Sequence, residues 1–178
     1  MKKIISVCLL CAIGVFSLNT VAGTVTVSWQ NPDKYSDIRA GNSARKHFRE
    51  SLFSELEAHL VKLAKQLPPE VQLKLKVTNL NLAGEVHYNF ALHQNIRIVK
   101  NSYWPMMEFE YQLSENQQVV KSDTIKLKDM LFMDRGGRAR LSHDSYHYEK
   151  RILTDWFDKH LQVMLANWKV QQEAVMGV

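Results

Sequence analysis

Residues 71–85 read "VQLKLKVTNLNLAGE", with Val71, Leu73, Leu75 and Val77 alternating against Gln72, Lys74 and Lys76. A period of two puts the apolar set on one face of a strand and the polar set on the other. At Thr78-Asn79 the parity changes, and the apolar positions become Leu80 and Leu82. A strand cannot exchange faces without an extra residue, so a bulge or bend is expected at Thr78-Asn79. Gly84 is expected to end the strand.

Upstream, "SARKHFRESLFSELEAHLVKLAKQLPPE" repeats Phe48, Leu52, Leu56, Leu60, Leu63 and Leu67 every three or four residues. That spacing predicts an amphipathic helix, stopped by Pro68-Pro69 and capped by Asn42 or Ser43. Before it, "TVTVSWQNP" alternates Val25, Val27 and Trp29 and predicts a strand ending at Asn31-Pro32.

Downstream, "EVHYNFALHQN" reads as a loop. "IRIVKNSYWPMMEFEYQL" holds two extended pieces either side of Pro105. Its second piece, the turn "SENQQ" and "VVKSDTIKLKDM" form an antiparallel hairpin. "DSYHYEKRILTDWFDKHLQVMLANWKVQQ" predicts a second helix, capped by Asp144 or Ser145, with Leu153, Trp156, Phe157, Leu161, Met164, Leu165 and Trp168 on its apolar face. About four strands cannot hide an apolar face alone, and two amphipathic helices cover it. The expected class is α+β, a two-layer sandwich with both helices on one face of a mostly antiparallel sheet, in the order β-α-β-β-β-α. The other sheet face is expected to be polar.

The N-terminus, "MKKIISVCLLCAIGVFSLNTVAG", has cations at Lys2 and Lys3, an uncharged run from Ile4 to Leu18 and small residues at Thr20-Val21-Ala22. This is the pattern of a secretory signal peptide cleaved after Ala22. The run of 15 residues is shorter than the ~20 that span a bilayer. Neither Cys8 nor Cys11 has the Leu three positions earlier that a lipid-anchored product needs, so a free periplasmic product is expected. The division is residues 1–22 signal peptide, 23–170 one α+β domain and 171–178 a frayed tail. The mature chain holds no cysteine, which removes thiol nucleophiles and thiolate-bound zinc. Without Lys2 and Lys3, 21 cations against 18 acids leave +3. That is too weak a basic balance for a nucleic-acid partner.

The pieces "LNLAGE", "IRIVKNSYWPMMEFEYQL", "IKLKDMLFM" and "YHYEKRILTDWF", in this order and spacing, resemble the bacterial exported family catalogued as domain of unknown function 3016. The resemblance covers nearly all of the mature chain. It implies a small periplasmic protein of Gram-negative bacteria, with no activity attached. It also points to Gly84, Glu85, Arg97, Pro105, Asp129, Tyr148, Glu149 and Trp156 as positions that matter, with no role known.

The most site-like stretch is "MDRGGRARLSHDSYHYEK", residues 133–150. His147 and Glu149, two apart, point to opposite sides of a helix and cannot share a metal. The zincin order of two His four apart with Glu directly after the first is missing. So are the nucleophile elbow and the P-loop. Glu108 and Glu110 lie about 7 Å apart on one strand face, with no aromatic sugar platform evident. Nothing in the chain calls for a cofactor or metal. The reading that follows is a non-enzymatic binding or envelope-associated module. Its candidate binding residues are Arg97, Asp129, Arg135, Arg138, Tyr148 and Glu149, and its partner is an envelope protein or an anionic envelope component. One structural expectation is that Arg97 pairs with Asp129 or Glu149 and ties the second helix to the sheet. The alternative is an exported hydrolase built on Asp129, His147 and Glu149, which requires a deep pocket lined by all three.

Overall fold

The computed structural model describes residues 22–135 and 144–163, with 165, 166 and 170. Residues 1–21, Gly136-Gly137, Arg138, His143, Met164, Trp168 and residues 171–178 lie outside the described residues, and with them the expected signal peptide and frayed tail. The chain runs β1 (Thr24–Trp29), α1 (Arg45–Ala64), β2 (Val71–Asn81), β3 (Glu85–Asn89), β4 (Gln94–Ile98), β5 (Met106–Glu115), β6 (Gln118–Lys128) and α2 (His147–Trp156).

One sheet has the order β1-β2-β5-β6, and β3 and β4 pair separately. β1 lies parallel to β2, and the other neighbours are antiparallel. A strand-helix-strand connection through α1 permits the parallel pair, which a tight turn cannot make. The α+β sandwich expected from the sequence is present.

β2 is the central strand, and the register against β5 steps between Val77 and Asn79. Thr78 is the extra residue, and its hydroxyl donates to the Glu108 carbonyl at 3.2 Å. The bulge keeps Val77 and then Leu80 and Leu82 inside. It also frees the Asn79 side chain, whose amide oxygen accepts from Ser36 N–H at 2.8 Å. The chain after β1 thereby rejoins β2, with Leu82 N–H donating to the Asp37 carbonyl at 3.0 Å.

The apolar face is covered by both helices. Leu52, Leu56, Leu60 and Leu63 of α1 and Ile152, Leu153 and Trp156 of α2 join one buried cluster with Leu73, Leu75, Val77, Phe109 and Leu113. Each such side chain contributes about 1.5–3 kcal/mol when fully removed from water. Trp29 stacks on Phe53 with ring centroids 4.0 Å apart. Trp156 meets Phe109 edge-on at 4.8 Å. The open face is polar, as expected. Each of its two glutamates faces a lysine across the strands, Glu110 with Lys76 and Glu108 with Lys126.

Four local expectations are corrected. Residues 85–95 are not a loop but most of the β3–β4 hairpin. The alternation of Val86, Tyr88 and Phe90 is masked by polar His87, Asn89 and Gln94, because this hairpin buries little on either face. α1 begins after Ala44 with no side-chain cap. Asn42 instead reaches β4, its oxygen accepting from Asn95 N–H at 3.0 Å. α2 begins after Tyr146, which is left-handed at φ 58, again without a side-chain cap. Asp144 instead bonds the Lys150 ammonium at 2.6 Å. Finally, helix geometry loosens to a π segment over Phe157–Gln162, which keeps Phe157 and Leu161 buried.

Candidate functional site

β2 ends beside a reversal at Ala83-Gly84, and three distant elements converge there. Gly84 has φ +82, and a Cβ on it would stand 2.6 Å from the Ile98 carbonyl oxygen, so this close turn requires glycine. Arg97 of β4 clamps one side. Its guanidinium donates to the Gly84 carbonyl at 2.7 Å, to both Asp37 carboxylate oxygens at 3.1 and 3.3 Å, and to the Arg39 carbonyl at 3.1 Å. Burial raises the Asp37 pKa, but the hydrogen bonds from Arg97 and Arg39 N–H and the two cations outweigh it and hold it below the ordinary range.

Glu149 clamps the other side from the first turn of α2. Ala83 N–H donates to its carboxylate at 2.6 Å. Only 2% of Glu149 is exposed, and it has no salt-bridge partner among the described residues. Burial pushes its pKa up against the opposing N–H bonds of Ala83 and Glu149 and the more distant charges of Arg97 and Lys150.

Around that clamp lies a cleft of about 570 Å³, framed by residues 39–43, β4 and the start of α2. Its polar lining includes Asn42, Ser43, Gln94, Asn95, Ser145 and His147, with Tyr146 and Tyr148 beside them. Its cations are already engaged, Arg97 by Asp37 and Arg39 by Asp37 and Glu85. A second depression of about 590 Å³ lies on the open sheet face. That depression lies on one sheet face, whereas the cleft beside α2 is framed by three separate elements, which makes it the candidate site.

Asp129 belongs to a different cluster. It is 3% exposed and holds two arginines, Arg135 at 2.7 Å and Arg151 at 3.0 Å. It also accepts from Leu131 N–H at 3.1 Å. Burial raises its pKa, but hydrogen bonds and charge from Arg135 and then Arg151 outweigh it and hold it below the ordinary range. Arg151 also donates to the Phe132 carbonyl at 2.6 Å, and the Phe132 ring meets Tyr148 edge-on at 4.7 Å.

The expected pairing of Arg97 with Asp129 or Glu149 is therefore corrected. Arg97 bonds Asp37, Asp129 bonds Arg135 and Arg151, and Glu149 bonds backbone. Of the candidate residues, Arg97, Tyr148 and Glu149 line the cleft, while Asp129 and Arg135 sit outside it. Arg138 lies outside the described residues. His147 and Glu149 reach the cleft without Asp129, so the three-residue hydrolase pocket is not assembled. Among the described residues no group of three or more His, Cys, Asp or Glu is arranged to hold a metal ion. Sequence reasoning missed Asp37, Arg39, Asn42 and Arg151 as site-forming residues. Asp37 and Arg97 are 60 positions apart, and no periodicity links them.

Among the described residues no helix is long and apolar enough to cross a membrane. No curated protein matches the chain. Among solved structures, a minor lipoprotein from Acinetobacter baumannii aligns over 83% of this chain and 94% of that one, at 10% identity and a TM-score of 0.27. So slight a likeness says nothing about fold or role. The model of a family described as a protein of unknown function, DUF3016, matches residues 23–159, beginning where the signal pattern stops and running through α2, and the chain belongs to that family.

Proposed function

We propose that this protein is an exported, non-catalytic binding module of the bacterial cell envelope, with the cleft beside α2 as its ligand site. The observation that carries the reading is the state of the charges in that cleft. Arg39 and Arg97 are engaged by Asp37 and Glu85, Asp144 is bonded by the Lys150 ammonium, and Glu149 is held by Ala83 N–H. What remains for a ligand is a set of amide, hydroxyl and imidazole groups with Phe48 and Val99 as apolar wall. Such a lining suits recognition of an uncharged polar group better than proton transfer, since among the described residues each carboxylate of the cleft already has a donor. The N-terminal pattern supports export.

The test is cell fractionation followed by native mass spectrometry of the processed protein. Recovery in the periplasm with a bound small molecule, lost when Asn95→Trp fills the cleft, is the expected result. Recovery in the cytoplasm with the leader intact, or ligand retention by Asn95→Trp, overturns the reading.

A further inference from the structure

The β3–β4 hairpin ends in Phe90-Ala91-Leu92-His93, and its apolar side chains stand in water. Phe90 is 81% exposed, Leu92 59% and Tyr88 49%. Single exposed apolar residues need no explanation, but three together on one projecting tip do. The tip is ordered by its own bonds. Leu92 N–H donates to the Asn89 side chain at 3.0 Å, and the Phe90 ring meets Tyr88 edge-on at 5.1 Å. At the hairpin base, Arg97 fixes the strand to Asp37 and Gly84. The chain thus holds an apolar tip rigidly away from its core.

The surrounding charge points to the surface that takes it. Between Glu85 and Glu108 the sequence holds neither Asp nor Glu; of its two cations Arg97 is engaged by Asp37 at the hairpin base and Lys100 is exposed. A segment without acid can approach lipid phosphates without repulsion. Tyrosine beside phenylalanine and leucine suits the boundary between headgroups and acyl chains. Backbone groups of the turn stay hydrated at that depth, which hydrocarbon does not allow. A convex apolar tip is also a poor match for a flat protein surface. We propose that the tip formed by Tyr88, Phe90 and Leu92 inserts into the headgroup boundary of an anionic lipid bilayer. This rests on the envelope reading above and names one surface through which the module meets the envelope.

The test uses the processed product of the full chain in flotation with vesicles of phosphatidylglycerol and phosphatidylethanolamine, against vesicles of phosphatidylcholine alone. Wild-type protein is expected to float with the anionic vesicles. Phe90→Ser/Leu92→Ser is expected to lose at least about tenfold in partitioning, the scale of a few buried methylenes. Its thermal unfolding should be unchanged, because both side chains contact mainly water. Absence of wild-type flotation, or equal flotation of the double variant, overturns the proposal. So does a photocrosslinker at position 90 that captures an envelope protein while vesicles capture nothing. None of these results touches the cleft, whose reading stands or falls on fractionation and Asn95→Trp.

Discussion

Two carboxylates are closed to solvent, Asp129 at 3% exposure and Glu149 at 2%, but Asp129 lies just beneath the surface beside half-exposed Arg135 while Glu149 lies deep in the packing, and their pKa values shift in opposite directions. Burial alone raises both. Asp129 has two guanidiniums within 3.0 Å, and their hydrogen bonds and charge overcome the desolvation. Glu149 has a backbone N–H at 2.6 Å and only distant cations, so desolvation prevails. The lesson is that exposure alone does not set the charge of a buried acid; its depth and its nearest donors decide together. One of these groups is an electrostatic rivet between the end of β6 and α2. The other is a hydrogen-bond anchor with a raised pKa, facing a cleft.

The comparison breaks most readily at Asp129. Asp129→Asn removes the negative charge and leaves Arg151 buried against a neutral amide. A loss of about 2–3 kcal/mol is expected in urea unfolding, below the full value for a deeply buried pair because Arg135 is half exposed. Gly84→Ala comes next. It forces a side chain into a left-handed turn against the Ile98 carbonyl, and should cost about 2 kcal/mol by displacing the segment that Glu149 and Arg97 hold.

The pH dependence sharpens the contrast through its sign. For Asp129, between the lowered folded pKa and the ordinary aspartate value, the unfolded chain holds a proton that the folded protein has lost. Its contribution is complete above that window and falls away as pH falls through it. For Glu149, between the ordinary glutamate value and the raised folded pKa, the folded protein holds the extra proton. Stability therefore declines as pH rises through that window. Urea midpoints measured across a pH series should show both slopes in wild-type protein, with Glu149→Gln removing only the second.

The smallest effect is that same Glu149→Gln at low pH. The amide oxygen can still accept from Ala83 N–H, so the cost should stay below about 1 kcal/mol. If it matches Asp129→Asn instead, Glu149 is a charged rivet as well and the contrast is lost.

Much of the frame was legible beforehand. The parity change at Thr78-Asn79 located the bulge because alternation is a local property of one strand. The leucines of α1 and the aromatics of α2 identified the covering faces for the same reason. The β3–β4 hairpin was not legible, since it lacks a buried face and so carries no clear alternation. The caps failed because Asn42 and Asp144 have better partners across the fold, in Asn95 and Lys150. A cap read from sequence assumes that no distant group competes for the side chain.

By itself, the sequence determined the α+β class, the central strand with its bulge and the two covering faces through the spacing of apolar residues along the chain, and the family through the order of its characteristic pieces. The tertiary structure alone decided that Arg97 binds Asp37, that Asp129 takes Arg135 and Arg151, and that Glu149 meets Ala83 at a cleft. Burial patterns repeat within an element and can be read there. Ion pairs and pKa shifts depend on which ends of separate elements the core brings together, and that choice is made only when the chain packs.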